Sequence, residues 1–126
     1  KLCKKNSICF VQLIAPTTTV KRMKEIIRNS HEMIYMISSI STTGSALKYS
    51  IKKIINNYNV IKRIRPSKNV VIGFGITEKT ISNLKSADGL VVGSAICREI
   101  SRSLKDRQNP VTNVSKLVRK LKNKII

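Results

Sequence analysis

Asn69-Val70-Val71-Ile72-Gly73-Phe74-Gly75-Ile76-Thr77 passes from an apolar, β-branched run into a glycine-bearing turn, then to a threonine suited to cap a helix. A second stretch, Gly89-Leu90-Val91-Val92-Gly93-Ser94-Ala95-Ile96, repeats the pattern. Each reads as a buried parallel strand that ends in a tight turn and opens a helix. Glycine in such a turn lets backbone N–H groups come close to an anion, and the helix N-terminus adds partial positive charge. Two such loops on consecutive strands match the phosphate site that a β/α barrel builds after its seventh and eighth strands.

Upstream, Ile8-Cys9-Phe10-Val11-Gln12-Leu13-Ile14-Ala15 is an apolar run closed by Pro16, hence a strand. Val20, Met23, Ile26 and Ile27 recur at helical spacing after the capping candidates Thr17, Thr18 and Thr19. Met33 to Ile37 is a further strand, and Ser38 to Gly44 a polar, Ser/Thr-rich loop. Leu47, Ile51, Ile54, Ile55, Tyr58 and Ile61 line one face of a basic helix. Downstream, Thr77 caps a short helix with Ile81 and Leu84, and Ile96, Ile100 and Leu104 mark a longer one. Residues 1–7 read as the end of a preceding helix. Residues 110–126 read as a final helix packed outside the rest through Val114, Leu117, Val118 and Leu121.

Strand–helix alternation predicts parallel strands joined by crossovers, class α/β. Four such units make half a closed barrel, and an open doubly wound sheet fits the alternation as well. The chain, 126 residues long, can bury a core, yet is only about half a typical barrel. It begins with Lys1 rather than methionine, so it is expected to be a piece of something longer, a single partial domain. No apolar run reaches the roughly 18 residues of a membrane span, and no signal peptide is visible.

The net charge is +19, from 25 Lys plus Arg against 6 Asp plus Glu, which admits an anionic partner such as nucleic acid. The basic residues are spread over every predicted helix rather than gathered in one arm. Aromatic residues make up 4%, with no Trp, a poor stacking platform for single strands, so nucleic acid is not the expected partner. Cys3, Cys9 and Cys97 form no CxxC pair, which argues against zinc or a disulfide framework. Cys9 and Cys97 are expected to be core thiols in a reducing compartment. His31, the one histidine, reads as a surface loop residue, so metal clusters and His-based triads are not expected.

The runs Leu13-Ile14-Ala15-Pro16-Thr17-Thr18, Tyr35-Met36-Ile37-Ser38, Thr43-Gly44, Gly73-Phe74-Gly75-Ile76 and Val92-Gly93-Ser94-Ala95-Ile96 resemble, in order and spacing, the tryptophan synthase alpha subunits. The resemblance extends from Lys1 to about Leu104 and implies the C-terminal half of a TIM-type β/α barrel, strands five to eight. It implies a cytoplasmic lyase of tryptophan biosynthesis that cleaves indole-3-glycerol phosphate to indole and glyceraldehyde 3-phosphate. By the same resemblance, Gly44, Gly75, Gly93 and Ser94 would hold the substrate phosphate. Tyr35 and Phe74 would line the indole pocket, and Thr43 would sit on a mobile loop that positions a catalytic aspartate. The alpha chain would need no cofactor of its own. Its partner, a beta subunit in an alpha-beta-beta-alpha complex, would carry pyridoxal phosphate.

The chain departs from the family pattern at Ser41, where the family loop carries a glycine two residues before the threonine of its Thr-Gly pair. Side chains at Ser41 and Thr42 narrow the backbone freedom of that loop. The family's catalytic glutamate and aspartate lie in the N-terminal half. None of Glu25, Glu32, Glu78, Asp88, Glu99 or Asp106 aligns with them, so no catalytic residue is expected within this chain and the fragment alone is expected to be inactive. The residues by themselves also admit other phosphate-binding barrel enzymes of the epimerase or thiamine-phosphate synthase type. They further admit a non-catalytic basic fragment that binds nucleic acid, and an inactive remnant.

Overall fold

The structure, a computed structural model, describes residues 2–38, 40–42, 45–47 and 50–126. Helix α1 covers Leu2–Lys5 and strand β1 covers Gln12–Ile14. Helix α2 (Val20–Asn29) leads to β2 (Met33–Ile37), and a short antiparallel pair follows, β3 (Ile40–Thr42) with β4 (Ser45–Leu47). Helix α3 (Ile51–Ile64) leads to β5 (Asn69–Gly73), a 3₁₀ turn at Ile81–Leu84, β6 (Gly89–Val91), α4 (Ser94–Lys105) and α5 (Pro110–Lys122).

The main sheet has four strands in the order β1-β2-β5-β6, all parallel. Its register explains the burial. Ile14, Met36, Ile72 and Leu90 are aligned across the strands, as are Leu13, Tyr35, Val71 and Gly89. Side chains alternate faces along a strand, so these two rows lie on opposite sides. Ile14, Met36 and Ile72 are buried, together with Met23, Ile26 and Ile27 of α2 and Ile54, Tyr58 and Ile61 of α3. On the other side Leu13 is 54% exposed, Tyr35 and Val71 are half-buried, and Val91 is 40% exposed. One face is covered by helices and the other, apolar as well, lies open, as in half the wall of a β/α barrel.

Several elements differ from the sequence expectation. The apolar run Ile8–Ala15 gives a strand only at Gln12–Ile14, because β1 pairs β2 over those three positions; Ile8 and Phe10 are each 60% exposed. The loop expected at Ser38–Gly44 contains β3, and Leu47 falls in β4 rather than on the helix. Thr77 caps no α-helix. It exchanges hydrogen bonds with Thr80, which closes a turn into the 3₁₀ segment. Cys9 and Cys97 are exposed rather than in the core. Cys9 precedes β1, its thiol 3.9 Å from His31 Nε2 at the surface, and Cys97 lies on an exposed side of α4. Ile100 and Leu104 of the same helix are 37% and 63% exposed, since α4 follows the edge strand β6 and packs mainly on α5. Among the described residues, no helix is long and apolar enough to cross a membrane, and no group of His, Cys, Asp and Glu could hold a metal ion.

Candidate functional site

The ladder position that joins Ile37, Gly73 and Val91 organises the site. Gly75 and Gly93 each lie two residues beyond it, on neighbouring parallel strands. Their loops therefore leave the sheet side by side at the C-terminal edge, where such sheets bind ligands.

The β5 loop turns through two consecutive left-handed residues, Phe74 and Gly75, each with φ of 67°. Glycine adopts that conformation without penalty; phenylalanine does not. Phe74 is 56% exposed, and its ring meets Tyr35 edge-on, with centroids 6.1 Å apart and planes at 87°. The two residues expected to line one pocket are thus in contact. Gly73 is required for a different reason. A Cβ there would overlap the Tyr35 hydroxyl and ring.

The β6 loop delivers Gly93 as the N-cap of α4 and Ser94 as its first residue, both exposed. Helices α2, α3 and α5 are capped by the side chains of Thr19, Ser50 and Asn109. Helix α4 has no side-chain cap and no acidic residue in its first turn. Its first N–H groups, at Ser94 and Ala95, precede the first intrahelical bonds, which Ile96 and Cys97 make to Gly93 O. They point outward toward whatever occupies the helix end. A Cβ on Gly93 would meet no atom of the described residues within 4 Å, so packing among them does not demand glycine there. Open space beside uncapped N–H groups is what an anion needs. Thr43 and Gly44 lie outside the described residues.

Four of the six acidic residues are engaged in ion pairs. Glu25 pairs with Arg22 at 2.9 Å, Glu99 with Arg102 at 2.8 Å and Glu78 with Lys120 at 2.7 Å. Asp88 stands at the opposite pole, just before β6. It accepts the Val70 N–H at 2.8 Å, Tyr58 Oη at 3.3 Å and Lys62 Nζ at 3.0 Å. Burial pushes its carboxyl up, but the Val70 bond and the Lys62 ammonium outweigh that and hold it below the ordinary value. Asp88 therefore fastens the β5–β6 pair to α3. This role is not visible in the sequence, because Val70 and Lys62 are remote from Asp88 in the chain. In sequence Ser38 is the first residue of the polar loop and the last of a family-like run. Its hydroxyl donates to Gly73 O at 2.9 Å and reaches the Phe74 carbonyl oxygen. A serine directly after a strand was the one available signal.

The family model described as "Tryptophan synthase alpha chain" matches residues 1–126. A tryptophan synthase alpha chain of Pelagibacter ubique is 62% identical over 125 residues, which are 99% of this chain and 47% of that relative. One of Bacillus subtilis is 37% identical over 112 residues, 83% of this chain and 39% of the relative. This chain thus spans about half the length of the curated relatives it matches. Among solved structures, one from Aquifex aeolicus superposes with a TM-score of 0.75 at 31% identity, covering 98% of this chain and 43% of that one. The tryptophan synthase subunit alpha of Legionella pneumophila gives 0.74 at 22% identity, over 97% of this chain and 44% of that chain, a likeness of fold. With the family model matched from end to end and the barrel's paired glycine loops in register, this chain belongs to the tryptophan synthase alpha chain family.

Proposed function

We propose that this chain is the phosphate-binding half of a cytoplasmic tryptophan-biosynthetic lyase that cleaves indole-3-glycerol phosphate to indole and glyceraldehyde 3-phosphate. Gly75, Gly93 and Ser94 hold the substrate phosphate through backbone N–H groups, with the Ser94 hydroxyl as a further donor and Gly44 as a fourth contact. Tyr35 and Phe74 flank the indole ring, and Thr43 belongs to the loop that orders over it. The acid and base of the reaction come from the other half of the barrel. The partner is a beta subunit, and pyridoxal phosphate belongs to that partner alone. The observation that carries this reading is the uncapped N-terminus of α4 beside the left-handed Phe74–Gly75 turn, on adjacent strands in matched register.

The chemistry assigned to this half is positioning. A phosphate dianion gains charge-assisted hydrogen bonds from fixed N–H groups and from the helix end. Anchored there, the substrate lays its indole ring against the aromatic pair, and the scissile bond is held where an acid and base can reach it.

Gly93→Val in the full-length protein tests the reading. A Cβ at that position meets no atom of the described residues within 4 Å. Substrate affinity should therefore fall while thermal stability is nearly unchanged. Wild-type affinity in the variant would remove the phosphate assignment.

A further inference from the structure

We propose that Ser38 is a positioning residue for the phosphorylated substrate, fixing the left-handed turn that shapes the β5 loop; this rests on the phosphate-site reading above. Ser38 follows Ile37, the last residue of β2, whose ladder partner is Gly73. It is buried, at 8% exposure, although it borders the open end of the sheet. Its N–H and its hydroxyl each donate to Gly73 O at 2.9 Å, and the hydroxyl also meets the carbonyl oxygen of Phe74.

Two successive carbonyls turned toward one hydroxyl are incompatible with a continuing strand, in which carbonyls alternate in direction. The chain must break between them, and it does so at Phe74, with φ of 67°. That conformation is unfavourable for a side chain bearing a Cβ, so the surroundings have to impose it. Packing alone is weak here, because Phe74 is more than half exposed. Among the described residues, the groups set against it are the Ser38 hydroxyl, shared between the Gly73 and Phe74 carbonyls, and the edge of Tyr35 on its ring. Without the hydroxyl, the Phe74 peptide is free to relax toward extended backbone. The ring then leaves Tyr35, and the N–H of Gly75 swings away from the direction matched to Gly93 and Ser94. Ser38 thus acts on the ligand through the loop and does not touch it.

The test uses the isotope-labelled full-length protein titrated with inorganic phosphate, following the amides of Gly75, Gly93 and Ser94 and the Tyr35–Phe74 ring contact by nuclear Overhauser effect. In the wild type all three amides should shift on one binding curve. Ser38→Ala should bind phosphate about tenfold more weakly, the scale of one net hydrogen bond, and should lose the ring contact before any ligand is added. Ser38→Thr, which keeps the hydroxyl, should restore both. Ser38→Cys, of similar size but a weak donor, should fall between them and serves if the alanine variant does not fold. A Ser38→Ala protein that is less stable yet keeps wild-type phosphate affinity and the ring contact would overturn the inference. A wild-type chain whose three amides ignore phosphate would instead overturn the phosphate-site reading, and the ring contact would still report on Ser38.

Discussion

Gly73→Ala isolates the tightest contact in the site. A Cβ at that position would overlap the Tyr35 hydroxyl and ring and stand 3.0 Å from Cε1. Gly73 itself is not in left-handed backbone, so the penalty is steric and not conformational. The strand cannot withdraw, because Gly73 is paired on both sides, to Ile37 and to Val91, and its carbonyl is held by Ser38. The ring must therefore move and give up its edge-on contact with Phe74. Overpacking of this kind costs about 1–3 kcal/mol, and the lost aromatic pair adds roughly 0.5–1.5 kcal/mol. Urea unfolding of the wild type, Gly73→Ala, Tyr35→Ala and the double variant forms a cycle that reads the interaction directly. With the ring removed, Gly73→Ala should cost under about 0.5 kcal/mol, leaving a coupling of about 2 kcal/mol. Additive single effects would refute the reasoning, since the two positions would then not be in contact.

Three further outcomes follow from the same structure. The folded-state carboxyl of Asp88 is depressed, so its stabilising contribution is full above the ordinary carboxylate range and is lost as pH falls through the lowered value. Asp88→Asn should destabilise by about 1–2 kcal/mol at pH 7 and flatten the acid limb of the urea midpoint; an unchanged acid limb would contradict the assignment. Lys68, 4% exposed, donates from Nζ to Ser30 O at 3.2 Å and His31 O at 2.6 Å, closing the C-terminal end of α2. Lys68→Ala should therefore cost about 1–2 kcal/mol in thermal unfolding, and no loss would contradict the capping role. Among the described residues β1 and β6 are unpaired at their outer sides and an apolar sheet face is partly exposed, opposed by a net charge of +19 on the chain. It should associate as salt screens that charge, and a monomer by sedimentation at both low and high salt would count against the open half-barrel wall.

The strands at Met33–Ile37 and Asn69–Gly73 were legible because central parallel strands read as unbroken apolar runs. The edges were not. Ile8–Ala15 looks as apolar as β2, yet pairing stops at Gln12 because a ladder needs a neighbour in register and not only hydrophobicity. The two glycine loops were visible from composition, since a turn that opens a helix restricts which residues can occupy it. Which glycine serves which purpose was not visible. Gly73 answers to Tyr35 across the sheet and Gly75 to its own backbone, whereas a Cβ on Gly93 would meet no atom of the described residues. The exposed stripe at Ile100 and Leu104 has the spacing of a core helix, and spacing alone does not reveal that no neighbour covers it.

The most direct test of the account restores a whole barrel around this chain. A chimera would join it behind the N-terminal half of the Pelagibacter ubique tryptophan synthase alpha chain, whose matching stretch is 62% identical. Indole released from indole-3-glycerol phosphate would be measured. The chimera should release indole, this chain alone should release none, and Gly93→Val in the chimera should raise KM. A folded chimera that releases no indole, or one indifferent to Gly93→Val, would contradict the assignment of this chain as the substrate-holding half.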